Sequence, residues 1–459
     1  MNFGHIKNIH FVGIGGIGMS GIAEILAGVG FTVSGCDAAA SQTTRRLEAA
    51  GIPVTIGHSP EHPAGADLVV ISSAVRRDHP ELEEARRLRI PVIRRADMLG
   101  EITRLKRGVA VAGTHGKTTT CAMIASVLAE AALDPTLIVG GVLRDFATNA
   151  RLGSGEWLVV EADEYDRSFL TLHPEIAVVT NIEADHLDIY SGIDDIVATF
   201  EEFATRIPFY GTVIGCADDP RVLALLEKIQ KREIPYGLGE NAELRAIEVE
   251  FHERGSSFVV IRAAEAIGKV TLQVPGEHNV RNALAAIGVG MELDIPFETI
   301  ARGLGRFTGV ERRFQLLGTF RGALVVDDYA HHPTEVRATL EAARRGYGER
   351  RIVALFQPHL YSRTRDFQEE FAEALAVADV AFVAPIYPAR EQPIEGVTSA
   401  LITDAAARRG FANVRGLEGD LRAVGDAVRA ELQPNDLFVT MGAGNVHEVG
   451  ERLAAEEAA

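Results

Sequence analysis

At 459 residues the chain is too long for one hydrophobic core, and its length alone predicts about three domains. Its composition, 47% hydrophobic and 24% charged, is that of an ordinary globular protein, and a formal net charge of −18 excludes a general nucleic-acid binder and a protein docked on an anionic membrane. No apolar run is long enough to span a bilayer, Met1 to Lys7 lacks a signal-peptide pattern, and Cys36, Cys121 and Cys216 fit neither a disulfide framework nor a zinc site, so the expected compartment is the cytoplasm.

Residues Asn8 to Val12 read as a strand, followed by Gly13-Ile-Gly-Gly-Ile-Gly18 and an apolar helix from Met19 to about Gly28. A second strand runs from Phe31 to Gly35 and ends at Asp37. Gly13, Gly15 and Gly18 with an acid about 20 positions on satisfy a dinucleotide fingerprint. Taken alone, that spacing predicts NAD or FAD. The loop itself demands only a pyrophosphate, and the acid only a ribose or similar polyol; a tight turn packing helix on strand would satisfy it too. Asp67 to Ser73 is a further strand with Ser72 and Ser73 at its carboxyl end, and Pro91 to Arg94 is another. The first domain is expected to cover 1–105.

The next domain, 106–308, opens on Val109-Ala-Val-Ala-Gly-Thr-His-Gly-Lys-Thr-Thr-Thr120. This is a buried strand, a glycine loop and a helix, with the helix expected from Cys121 to Glu130. Such a loop aims backbone N–H groups at an anion, and the helix N-terminus adds partial positive charge. Lys117 supplies a full charge for phosphate, and the Thr118 hydroxyl suits Mg²⁺. Val111 stands where the usual P-loop has its first glycine, so Gly113 and Gly116 carry the turn. Lys117 reads as a loop charge and not as part of a core. Trp157 to Asp166 is a strand running into a carboxylate cluster, Asp163, Glu164 and Asp166, and Ile176-Ala-Val-Val-Thr-Asn-Ile-Glu-Ala-Asp-His186 is another strand ending in polar groups. Open α/β sheets build their sites at strand carboxyl ends, so Lys117, Thr118, Glu161 and His186 are expected to face one crevice. Mg²⁺ prefers oxygen, which leaves Asp185 or Asp163 as alternatives to His186, and an imidazole suits Mn²⁺ better. Asn279 and Asn282 lie on one face of a helix that opens near Pro275; base contact and capping are both open to them.

The third domain, 309–459, carries Glu311-Arg-Arg-Phe314 in a loop. The stretch from Ala323 is a strand ending in Asp328, Tyr329, His331 and His332, with a helix from Pro333. Strands at Arg351 to His359, Ala381 to Pro385 and Asp436 to Thr440 alternate with helices, which predicts a parallel sheet with right-handed crossovers.

Together these motifs resemble the Mur ligases. The resemblance runs from Gly13 to Gly444 through Gly-Ile-Gly-Gly-Ile-Gly-Met-Ser20, Gly-Thr-His-Gly-Lys-Thr118, Glu-Ala-Asp-Glu164, the motif ending at His186, His-Asn-Val-Arg-Asn282, Asp-Asp-Tyr-Ala-His-His-Pro333 and Gln-Pro-His-Leu-Tyr-Ser-Arg-Thr364. It implies an α/β protein of three domains: a Rossmann-like N-terminal domain for a UDP-sugar, a central P-loop-type ATPase domain, and a Rossmann-like C-terminal domain that closes over ATP and an amino acid. Leu187 to Glu202 holds no lysine where sister ligases carry a carbamylated one, which points to the members that attach L-alanine to UDP-N-acetylmuramate. The implied activity is ATP-dependent amide formation through an acyl phosphate, in peptidoglycan synthesis and thus in cell-wall biogenesis, cell shape and division, by a monomer or weak homodimer. Implied roles are Lys117, His186 and Glu161 in catalysis, and Thr118, Glu161 and His186 at Mg²⁺. Gly113, Thr114, His115, Gly116, Lys117, Thr118, Thr119, Asn279, Arg313 and Asp328 are implied at ATP. The UDP-sugar falls to Gly13, Gly15, Gly16, Ile17, Gly18, Asp37, Ser72, Ser73 and Ser168. The alanine pocket falls to Tyr329, His331 and Arg363; Leu360 replaces an arginine common after Gln-Pro-His.

Overall fold

The computed structural model describes every residue except Met1, Asn2, Ser73, Ala147, Leu187, Asp188, Arg390 and Ala459. Short apolar runs form strands and the glycine-broken stretches after them turn into helices, giving three sheets, one in each expected domain. The first sheet contains β1 (Asn8–Val12), β2 (Thr32–Asp37), β3 (Val54–Ile56), β4 (Leu68–Ile71) and β5 (Val92–Arg94). It is parallel throughout, in the order β3-β2-β1-β4-β5. Val12 pairs with Cys36 on one side and Ile71 on the other. Strand order reverses at β1, and such switch points open a crevice past the strand ends. The loop Gly13–Gly16 sits there, and the helix Ile17–Gly28 leaves it.

The second sheet has ten strands: β6 (Arg107–Ala112), β7 (Thr136–Leu143), β8 (Thr148–Arg151), β9 (Trp157–Glu161), β10 (Ile176–Val179), β11 (Thr212–Cys216), β12 (Arg232–Gly237), β13 (Leu244–His252), β14 (Gly255–Arg262) and β15 (Glu265–Leu272). Its order is β15-β14-β13-β12-β11-β10-β6-β9-β7-β8. β10, β6 and β9 are neighbours and parallel, so their carboxyl ends lie side by side. β6, β9 and β10 are buried almost end to end, as expected of parallel strands covered on both faces. The third sheet comprises β16 (Gln315–Phe320), β17 (Ala323–Asp328), β18 (Ile352–Phe356), β19 (Val380–Val383), β20 (Val414–Gly416) and β21 (Leu437–Met441), in the order β16-β17-β21-β18-β19-β20. Only β16 runs antiparallel to its neighbour.

By internal contacts the chain forms two compact units, residues 1–247, 259–270 and 281–307, and residues 248–258, 271–280 and 308–459. The first sheet and strands β6 to β12 of the second share the first unit, while β13, β14 and β15 are divided between the two units. Several boundaries shift from the sequence reading: the first helix starts at Ile17 and not Met19, and the strands read as running on to His186 and His359 stop at Val179 and Phe356. The helix expected from Cys121 starts at Lys117, so Lys117 and Thr118 belong to its first turn. The apolar pattern begins only at Cys121, while the polar turn before it is set by the preceding loop.

Candidate active site

The loop after β6 is held in a conformation that its two glycines make possible. Gly113 has φ +141° and Gly116 φ +83°, a region that side chains disfavour. A Cβ at Gly113 would overlap the Thr180 hydroxyl, and one at Gly116 would lie 2.8 Å from Asn282 Oδ1. The end of β10 clamps the loop from the other side. Thr114 N donates to Asn181 O at 3.1 Å, and His115 N donates to Asn181 Oδ1 at 2.8 Å. Thr180 Oγ1 donates to His115 O at 2.6 Å, and Glu183 N to Thr114 Oγ1 at 2.8 Å. The helical ladder starts with Thr120 N donating to Gly116 O, so the N–H groups of Lys117, Thr118 and Thr119 stand ahead of it, where a helix offers donors to an anion.

Lys117 is not a free loop charge. Its ammonium donates to Glu164 Oε2 at 2.8 Å, to Gly113 O at 2.5 Å and to Thr114 O at 3.2 Å. The two charged side chains are 12% and 4% exposed, so this is an interior ion pair. Burial alone would pull the Lys117 ammonium down, but Glu164, Asp163 and Glu161 outweigh it and hold Lys117 above its ordinary range. Burial pushes the Glu164 carboxyl up, against the pull of Lys117. Tyr190 donates its hydroxyl to Glu164 O at 2.6 Å and fixes that strand exit.

The expected metal trio divides. Thr118 Oγ1 donates to both Glu161 oxygens at 3.1 and 3.0 Å, and Gly140 N donates to Glu161 Oε2 at 2.7 Å. His186 stands instead beside Glu164, with Nε2 3.8 Å from Oε1, and 3.9 Å from its own neighbour Asp185. Its backbone is left-handed, φ +53°, and Tyr165 meets its ring edge-on at 5.2 Å. Asp163 accepts from Tyr165 N. Glu164 and Asn181 are thus the groups whose structural part the sequence reading missed.

At the first loop, Gly13 N and Ile14 N donate to Cys36 O at 2.9 and 3.0 Å, and Gly15 N donates to Asp37 Oδ2 at 2.8 Å. Asp37 therefore shapes the loop itself. Gly16 caps the following helix, and Gly18 faces Arg95. Ser72 Oγ would lie 3.7 Å from a Cβ on Gly13; Ser73 falls outside the described residues. Ile17 is 55% exposed, and its carbonyl accepts from Asn149 Nδ2 at 3.0 Å. Ser168 donates to Asp163 O within the turn Tyr165–Thr171, whose Thr171 donates to Ala96 O, so it lies by the helix that carries Arg95.

In the second unit, Asn279 Nδ2 donates to Pro275 O at 2.7 Å, a local bond at its helix start. Asp328 anchors the arginine loop: Phe314 N donates to its Oδ2 and Ala330 N to its Oδ1, both at 2.8 Å. The Arg312 and Arg313 guanidiniums lie 5.0 and 5.3 Å from the Tyr329 ring. His331 Nδ1 is 3.0 Å from Tyr329 O, and the His331 ring meets that of His359. Burial keeps the His331 imidazole below its usual value, with Glu335 opposing and Arg363 adding to it. Arg363 is buried, in the short helix that Leu360 opens. Leu360 has φ +72°, which costs on the order of 1–3 kcal/mol and persists because Thr364 N and Oγ1 both donate to its carbonyl.

Burial pushes the Asp328 carboxyl up to about 6, against Arg313 and two backbone donors. A folded pKa above the unfolded one gives stability that is present at low pH and lost as pH rises through the folded value. From about pH 4 to about pH 7 the stability difference between wild type and Asp328→Asn should therefore fall by up to about 3 kcal/mol. Urea unfolding at the two pH values checks this; a difference that does not change with pH contradicts it.

A glycine loop opening on a helix N-terminus, beside an oxygen pair on adjacent strand ends, is the arrangement of a nucleotide-dependent phosphoryl-activating enzyme. Three family profiles match in order: "Mur ligase family, catalytic domain" over residues 8–107, "Mur ligase middle domain" over 111–290, and "Mur ligase, glutamate ligase domain" over 312–444. The chain belongs to the Mur ligase family. It is 52% identical over 451 residues to the UDP-N-acetylmuramate–L-alanine ligase of Geobacter sp. (strain M21), covering 98% of each chain. It is 49% identical to the same-named ligase of Geobacter sulfurreducens over 99% of this chain and 98% of that one. A solved UDP-N-acetylmuramate–alanine ligase from Thermotoga maritima superposes with a TM-score of 0.83 at 30% identity, covering 99% of both chains.

Proposed function

We propose that the chain is an ATP-dependent ligase that joins L-alanine to the lactyl carboxylate of UDP-N-acetylmuramate, yielding ADP and phosphate, in peptidoglycan synthesis. The supporting observation is the Lys117–Thr118 loop facing Glu161 across neighbouring strand ends, in a chain about half identical over its full length to ligases of that name. A carboxylate is a poor electrophile. Its oxygen attacks the γ-phosphorus, the β–γ bridging P–O bond breaks, and ADP leaves. The alanine amine then attacks the acyl carbon, phosphate departs with the C–O electrons, and the amine proton passes to a base or to solvent.

The chain's own groups serve that sequence by charge and position. The helix N–H groups of Lys117 to Thr119 receive phosphate oxygens, and Lys117 exchanges Glu164 for them. Gly113, Thr114, His115 and Gly116 shape that cradle. Asn279, Arg313 and Asp328 are the nucleotide contacts proposed from the third sheet and its neighbouring helix start. The UDP-sugar falls to the Gly13–Gly18 loop with Asp37, Ser72, Ser73 and Ser168, and alanine to Tyr329, His331 and Arg363. The domain boundaries proposed are 105/106 and 308/309. Cytoplasmic location and a monomer or weak homodimer complete the reading; no helix among the described residues is long and apolar enough to cross a membrane.

Mg²⁺ fits the residues present. Thr118 and Glu161 offer oxygen donors 3.0–3.1 Å apart at one strand end, a hard set suited to a hard cation. His186, by Glu164, would join it as a more distant nitrogen donor that also accepts Mn²⁺. When bound, the cation neutralises charge on the phosphates. Glu161→Gln is thus expected to raise the metal concentration for half-maximal activity on the order of tenfold or more, and His186→Ala by less. A metal titration of both variants beside Asp185→Ala decides it; a shift in the Asp185 variant alone would make His186 structural.

The first loop is tested by binding. Isothermal titration should show UDP-N-acetylmuramate binding and no NAD binding. Saturable NAD binding without UDP-sugar binding would refute the assignment of that loop.

A further inference from the structure

We propose that the N-terminal domain contains a structural site for one zinc-class divalent cation, formed by His10, Cys36, His62 and Glu81. None of these residues belongs to the phosphate or UDP-sugar groups above.

The observation that prompts it is Glu81. Its side chain is fully buried in the first turn of the helix Pro80–Arg87. A buried carboxylate usually answers to lysine or arginine. Here the recorded side chains around it are metal-ligating types: Cys36 Sγ at 3.0 and 3.2 Å from its two oxygens, His62 Nδ1 at 3.1 Å, His58 Nδ1 at 3.1 Å and His10 Nε2 at 3.6 Å. One ligand atom from each of His10, Cys36, His62 and Glu81 lies within 4.8 Å of every other. Zinc bonds of about 2.0–2.3 Å set tetrahedral ligands roughly 3.5 Å apart, so small side-chain rotations close the set.

A second observation points the same way. His10 is 4% exposed, and its Nε2 is buried without a hydrogen-bond partner. Its other nitrogen, Nδ1, is 3.0 Å from Ser34 Oγ, which fixes the ring with Nε2 toward Glu81. A partner on the far nitrogen is how metal-binding imidazoles are oriented. The ligands also come from rigid elements: His10 from β1, Cys36 from the end of β2, Glu81 from a helix, and His62 from the loop after β3. One thiolate, two imidazoles and one carboxylate select zinc over magnesium or calcium. Cys36 would bind as thiolate, its proton passing to solvent. His58, 3.4 Å from Cys36 Sγ and edge-on to His79, backs the set. Because Cys36 O accepts the Gly13 and Ile14 amides, a cation at this point braces the first glycine loop from behind.

The test uses the full chain, stripped with a chelator and titrated with Co²⁺ and then Zn²⁺ in the absence of nucleotide. The expected result is one ion retained per chain after dialysis and a thiolate-to-cobalt charge-transfer absorbance that zinc displaces. Cys36→Ser should abolish that absorbance. His62→Gln should weaken zinc binding tenfold or more and erase the rise in Tm that zinc gives the wild type. His62 is partly exposed, so this variant serves even where Cys36→Ser disturbs folding. No cobalt–thiolate absorbance in the wild type overturns the site. So does an absorbance that survives in Cys36→Ser, or a zinc-induced Tm rise equal in His62→Gln and wild type.

Discussion

Lys117→Ala should abolish ligation and also weaken the fold. Loss of a charged contact to the transferring phosphate is expected to lower the rate on the order of 10²-fold or more. The loop-charge reading would leave stability untouched, but Lys117 is the partner of a carboxylate only 4% exposed. Removing one member of a buried pair costs about 3–5 kcal/mol when the other stays charged. Glu164 has an escape, because burial already pushes its carboxyl up and it can take a proton. With its folded pKa raised above the unfolded one, the variant keeps that stability at low pH and loses it as pH rises through the folded value. Thermal melts should therefore show Lys117→Ala closest to wild type in mild acid and furthest from it above neutrality. Adding Glu164→Gln should restore much of the melting temperature and none of the activity. Ligation regained in the double variant would show that Lys117 does not serve the phosphate.

Gly113→Val should be nearly as damaging, through the backbone. At φ +141° a β-branched residue is strained, and its Cβ would overlap the Thr180 hydroxyl and lie 3.1 Å from Asn181 N. Strain and overpacking together amount to roughly 3 kcal/mol or more. The same collision pushes apart the β6 loop and the β10 end that clamps it, so ATP-dependent turnover should vanish with the stability. Thr180→Ala in the same chain relieves the overlap but not the φ angle, and should recover part of the Tm. Wild-type melting and activity in Gly113→Val would contradict the loop geometry described.

The fold was legible wherever a short apolar run gave way to glycine or to a cluster of polar residues. β1, β6, β9, β10 and β17 begin within two residues of their expected starts, and the Lys117 loop, Glu161 and the stretch leading to His186 leave neighbouring strand ends because β10, β6 and β9 are adjacent. The start of the Lys117 helix was not legible, because its first turn is polar and β-branched and carries no periodic apolar signal. Partners far apart in sequence were also hidden. Glu164 stands in a motif that was visible, but its pairing with Lys117 spans 47 positions, and the Asn181 clamp on His115 spans 66. The cysteine count offered no zinc framework, since three of the four ligands gathered at Glu81 are not cysteines and each comes from a different element. The families' three-part division and the two compact units describe different things: the former follows the sheets, while the first unit combines the first sheet with strands β6 to β12 of the second.

The central claim is the reaction, and phosphate release tests it. The purified chain is given ATP, Mg²⁺ and UDP-N-acetylmuramate with L-alanine, glycine, L-serine or D-glutamate in turn. Phosphate release is expected to require both the UDP-sugar and an amino acid, to be fastest with L-alanine, and to be matched by formation of UDP-N-acetylmuramoyl-L-alanine. Phosphate release indifferent to the UDP-sugar, or a change in NAD(P)H absorbance with no phosphate released, would contradict it.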